Sequence, residues 1–132
     1  MQATRTGMNG AALAWKGLSV VLGFFFIGSG MTKVLRVASQ VENFEKWGYP
    51  GWFLPLTGAI EVGAALILLA SLFVNRIATV GALLLACVMC GALYTRIANN
   101  EAVPTIVMPA VLLVVALAIA WGRSGELTAR TI

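Results

Sequence analysis

Glu61 stands in the middle of Gly51–Val74, a run otherwise long and apolar enough to cross a bilayer. An acid at mid-membrane costs about 2.5 to 3.5 kcal/mol on insertion scales, so it is expected to face a partner, a cavity or a proton path. Lys33, at the end of the preceding apolar run, is a candidate partner, because a lysine stem reaches several Å inward from the interface. Arg96 and Tyr94 end a later run on the same side of the membrane, and complete a candidate polar site with Glu61 and Lys33. A carboxylate among cations can anchor a ligand or carry a proton. Equally, Glu61 can serve only as a helix-to-helix hydrogen bond that fixes packing.

Cys87 and Cys90 have the C-x-x-C spacing of thiol redox enzymes. Reactive pairs need a lowered thiol pKa from a helix N-terminus or a cation, and these two lie mid-run among Ala, Leu, Val and Met. Positions i and i+3 of one helix also seldom suit a disulfide. The pair is therefore a weak redox candidate beside the plainer reading of small apolar packing. The chain has no histidine, which removes imidazole metal sites and His-based acid catalysis. No nucleotide loop, nucleophile elbow or metal site is readable.

The elements that must position these groups follow from composition. Hydrophobic residues make up 60% of the chain and charged ones 11%, against about 25% charged in a soluble domain. A span needs about 20 mainly apolar residues, and four segments qualify, about 13–32, 52–74, 77–97 and 104–121. Runs of that length cross lipid only as helices. The prediction is one all-α domain over residues 1–132, an integral membrane four-helix bundle. The turn at Asn75 and Arg76 makes spans two and three antiparallel neighbours, and Pro104 suits the first turn of the last helix. Pro109 should kink that helix by freeing the carbonyl of Thr105. In the longer connection, Val41, Phe44 and Trp47 alternate with Glu42, Glu45 and Lys46, which fits a short amphipathic interfacial helix over about 38–47. An ordinary surface connection with a Trp at the headgroup level fits as well.

Arg5 before an apolar run ending at Gly28-Ser-Gly30 superficially suits a signal peptide, but the run exceeds the usual h-region of about 15 residues and is read as a span. With both termini inside, Arg5, Lys16, Arg76, Arg123 and Arg130 face the cytoplasm, and Lys33, Arg36, Lys46 and Arg96 face outward. Cytoplasmic termini are favoured by one side chain. The net charge of +4 then reflects basic residues meeting anionic lipid at the boundaries, and points to the bilayer, not to nucleic acid, as partner.

The ordered features Gly30-x-x-Lys33 with Val34-Leu35, Gly48-x-Pro50, Glu61 followed by Gly63, Arg76-x-Ala78 and Met89-x-x-Ala92 resemble the DoxX-like (DoxX/DoxD) membrane protein family over nearly the whole chain. That resemblance implies a four-helix bacterial inner-membrane protein, in a family that includes quinone-reducing thiosulfate dehydrogenase subunits and redox-stress-associated membrane partners. Many such relatives carry a His where this chain reads Gly91–Arg96, and an arginine cannot shuttle a proton at neutral pH. The expected function is an accessory subunit of an oxidoreductase system, more than a stand-alone enzyme, binding quinone or a lipid-like molecule near Glu61. It would work with other protein subunits or as a homo-oligomer. A non-catalytic scaffold or assembly subunit is the alternative, and a small transporter a third reading.

Overall fold

The computed structural model describes residues 2–127, all of whose regular structure is helical. Five α-helices follow in order: α1 Gln2–Val34, α2 Ala38–Lys46, α3 Phe53–Ala70, α4 Ala78–Ala98 and α5 Val103–Gly122. Single 3-10 turns, Asn75–Ile77 and Ser124–Leu127, follow α3 and α5. Four helical segments are long and apolar enough to cross a membrane, Leu13–Val34, Phe53–Ala70, Asn75–Ala98 and Val103–Gly122. Arg130, assigned above to the cytoplasmic face, lies outside the described residues.

The helices pack in the order α1, α3, α4, α5, with α1 and α5 meeting only slightly. Each turns a stripe of its residues inward. On α3 the stripe is Leu54, Gly58, Glu61, Ala65 and Leu68, all buried, at the alternating spacings of four and three that place side chains on one helix face. Glu61 is therefore in phase with the core, and only 1% of it is exposed. Leu22, Phe26, Leu68, Leu85 and Ile119 fill the centre, while Phe24, Leu66 and Val114 point outward to lipid.

Lipid tails are as apolar as leucine, so helix association in a membrane relies on close packing more than on hydrophobic burial. The α1–α3 crossing shows this most sharply. A Cβ on Gly58 would lie 2.5 Å from the Gly30 carbonyl oxygen, and one on Gly30 would lie 2.7 Å from that of Gly58. The two backbones touch because neither residue carries a side chain. Gly63, by contrast, has nothing within 4 Å of a built Cβ, so it contributes no close approach beside Glu61.

Two features differ from the sequence expectation. First, α3 stops at Ala70, short of Val74, and the connection to α4 is a turn through Ser71–Val74 plus the 3-10 turn. Hydropathy could not place that stop, because Leu72, Phe73 and Val74 continue the apolar run. Second, Arg123, expected at the lipid boundary, is 1% exposed. Its Nη1 donates to the hydroxyls of Ser19 at 3.2 Å and Ser71 at 2.7 Å, and its Nη2 donates to the Ser71 carbonyl at 3.0 Å. The guanidinium thereby takes up a carbonyl freed at the end of α3, and joins α1, α3 and the end of α5. Nearby, the Trp15 ring fills the space over Gly122, where a Cβ would come within 2.2 Å of it. Arg123→Leu should lower stability by about 2 kcal/mol or more, since hydrogen bonds to charged groups contribute about 1.5 to 3 kcal/mol each. Thermal unfolding in nanodiscs measures it; an unchanged midpoint would remove Arg123 from the framework.

Candidate functional site

Ser29 and Lys33 are one helical turn apart near the end of α1, on the same face. The Gly30–Gly58 contact sets that face directly against α3, and so against Glu61. Lys33 Nζ lies 3.1 Å from Glu61 Oε2 and 3.4 Å from Oε1. Ser29 Oγ donates to Oε1 at 3.0 Å, and Lys33 Nζ donates to Ser29 Oγ at 3.1 Å. The carboxylate thus gains a charge-assisted pair and a hydroxyl donor, the conditions under which a buried charge is tolerated. Sequence reasoning identifies Lys33 as a partner but gives Ser29 no polar role.

Above this triad lies a cavity of about 560 Å³. Its floor includes Ser29, Lys33 and Glu61, and its walls include Phe25 and Phe26 of α1, Val88 and Met89 of α4, and Met108, Pro109 and Leu112 of α5. Pro109 is buried and faces the same space as Glu61.

The roof comes from α2 and the segment after it. The left-handed φ of 83° at Gly48 ends α2 as a C-terminal glycine does and folds Tyr49 back over the bundle. Phe44, Tyr49 and Phe53 form an aromatic group, with Tyr49 and Phe53 centroids 4.8 Å apart. Tyr49 Oη and Thr95 Oγ1 share a hydrogen bond of 2.5 Å, which ties this roof to α4. A second tie runs to the α4–α5 connection: Trp47 Nε1 donates to Glu101 Oε2 at 3.2 Å, and Lys46 Nζ lies 2.9 Å from the same oxygen. Arg96 stacks over the Trp47 ring, 5.1 Å from its centroid. The connection expected at the headgroup level therefore covers a cavity.

Of the predicted site residues, Glu61, Lys33 and Arg96 line this one space. Tyr94 does not: it is 72% exposed, on the outer side of α4. The next residue, Thr95, is buried and lines the cavity in its place. One residue rotates a helix position by about 100°, so the correction is a matter of phase. Cys87 borders the cavity and Cys90 does not, while both are exposed and both thiols are free.

The Lys46 hydrogen bond, followed by that of Trp47, holds the Glu101 carboxyl below its ordinary 4.5. A folded-state pKa depressed in this way means that the tie is present above the unfolded value and is lost as pH falls through the folded one. Lys46 is largely exposed, so the effect on global stability is small and the local effect on α2 is the one to measure. Protection of the α2 amides, taken relative to their intrinsic exchange rate at each pH, should be high at neutral pH, lower in acid below 4.5, and already low at neutral pH in Glu101→Gln. If α2 is equally protected in all three conditions, Glu101 does not hold the roof.

The DoxX-like family matches residues 17–119, and the chain belongs to that family. It is 39% identical over 80 residues to "Uncharacterized protein YdgD" of Bacillus subtilis (strain 168), a match covering 60% of this chain and 69% of that protein. No solved structure matches it.

Proposed function

We propose that this DoxX-like chain is a membrane subunit that serves an oxidoreductase system by holding a quinone or another lipid-like molecule above Glu61. The observation that supports this reading is the cavity of about 560 Å³, within the usual range of about 300 to 1,000 Å³ for small-molecule sites. Its aromatic walls suit a flat or chain-like apolar body. Its polar groups are few and convergent, which is how such sites fix orientation. Lys33 and Ser29 hold Glu61 in place, and Lys33 presents a donor to the head of the ligand.

An accessory role fits better than stand-alone catalysis. Cys87 lies mid-helix, away from the helix N-terminus that would activate a thiol, and Arg96 stays charged through any proton cycle. Electrons would then come from partner subunits or from a second copy of the chain. The setting we assign is a bacterial inner membrane with both termini cytoplasmic, following the basic residues at the span ends.

The test uses the full chain in nanodiscs, with Trp15, Trp52 and Trp121 replaced by Phe so that Trp47 reports from the roof. A decyl-tailed benzoquinone should quench Trp47 saturably. Glu61→Gln and Lys33→Met should weaken that binding while the bundle still assembles. Wild-type binding in both variants would end the assignment of the site.

A further inference from the structure

The charges around the cavity do not cancel. At the floor Lys33 and Glu61 neutralise each other, while at the roof Lys46 and Arg96 share the single carboxylate of Glu101. Lys46 holds the nearer position, 2.9 Å from Oε2, and Arg96 Nη1 is left 3.9 Å from Oε1, beyond hydrogen-bond distance. The Nε–H of Arg96 is buried and has no acceptor among the described residues. Lys33 also keeps spare capacity: an ammonium has three N–H donors, and its partners at the floor are Ser29 and Glu61. The space is therefore bordered by one positive charge more than it has negative, and that charge is a planar fork lacking an anion at bonding distance.

The walls are equally uneven. At one end α1 and α5 are closed together by Trp15 over Gly122 and by Arg123 on Ser19. At the cavity end α1 contributes Phe25 and α5 contributes Met108, both lining the space and both exposed on the lipid-facing surface. A chain inside the cavity thus has an apolar way out sideways.

We infer that the cavity takes a single-chain amphipath with an anionic head, a carboxylate or a phosphate, bound by Arg96 beneath α2 with its tail leaving between α1 and α5. This deepens the proposed function and rests on its assignment of the cavity as a ligand site. An arginine fork matches carboxylate and phosphate oxygens two at a time. An anionic head also balances the surplus charge in a space of low dielectric, where an unbalanced charge is costly. A neutral head supplies an acceptor to the fork but leaves that charge standing.

The experiment compares dodecanoate, dodecyl phosphate, dodecanol and a decyl-tailed benzoquinone against the single-Trp47 protein in zwitterionic nanodiscs. Each concentration is counted as mole fraction in the bilayer, with protein-free discs as blank. The expected result is a preference of about tenfold or more for the anionic probes over dodecanol, each tenfold being 1.4 kcal/mol. Arg96→Gln should bring that preference close to one, and Arg96→Lys should keep part of it. Dodecanoate against dodecyl phosphate then tells which head is favoured. Competition by tailless acetate or inorganic phosphate at similar concentrations would overturn the amphipath, because the occupant would be a free anion. Equal binding of dodecanol or benzoquinone, indifferent to Arg96, would overturn the anionic head and leave the proposed function standing. Failure of all four probes to bind would remove both.

Discussion

Gly58→Leu is expected to drive α1 and α3 apart and to unfold the bundle at a markedly lower temperature. The glycine has no room for any side chain: the first carbon would meet the Gly30 carbonyl oxygen at 2.5 Å and the Val34 backbone nitrogen at 2.9 Å. Backbone cannot step aside as a flexible side chain can, so the helices themselves must shift. Two effects compete. Replacing glycine inside a helix gains about 0.5 to 1 kcal/mol in conformational preference. Overpacking costs about 1 to 3 kcal/mol, and more where a helix must move, so the net change is a loss. The same displacement carries Ser29 and Lys33 away from Glu61, so ligand binding should fall along with stability. Thermal unfolding in nanodiscs and Trp47 quenching read the two effects separately. If Gly58→Leu melts like the parent, the flush crossing is not what positions the site.

Lys33→Met is the second large effect. Removing one partner of a buried ion pair leaves the other charge stranded, at a cost of about 3 to 5 kcal/mol. Here the stranded group is Glu61, 1% exposed, with the Ser29 hydroxyl as its remaining donor. Glu61→Gln should cost less, because the ammonium left behind belongs to a side chain that is 13% exposed, against 1% for Glu61. Lys33→Met combined with Glu61→Gln removes both charges, and replacing a whole pair is often close to neutral. The double variant should therefore be more stable than Lys33→Met alone. A double-mutant cycle on unfolding free energies settles the matter: additive single effects would mean that the contact at 3.1 Å carries no coupling.

Much of the architecture was readable from the chain because a bilayer leaves so few options. Runs of about 20 apolar residues can only be helices, and the short connection between Ala70 and Ala78 forces α3 and α4 to be antiparallel neighbours. Glu61 could be assigned to the interior because a lipid-facing acid is so unfavourable, and Lys33 followed as the cation within reach. The errors have equally specific causes. Tyr94 faces outward and Thr95 inward, which the sequence does not show because hydropathy carries almost no phase in a helix that is apolar on all sides. Arg123 looked like a boundary charge because sequence shows that it ends a span, not that Ser19 and Ser71 converge on it from two other helices. Ser29 received no polar role because serine serves packing and hydrogen bonding alike in membranes. The tie between Trp47 and Glu101 joins residues 54 positions apart, a separation that no local pattern encodes.

The early stop of α3 sets how the protein meets its surroundings. Its 18 residues rise about 27 Å at 1.5 Å each, slightly less than the hydrocarbon thickness of about 30 Å. Trp52 and Phe73, 65% and 81% exposed at its two ends, mark where the headgroups must come. Tilting would shorten the reach of this helix further, and a short span is otherwise matched by local thinning of the bilayer. Thickening the bilayer with longer acyl chains is therefore expected to press on α3 before any other helix.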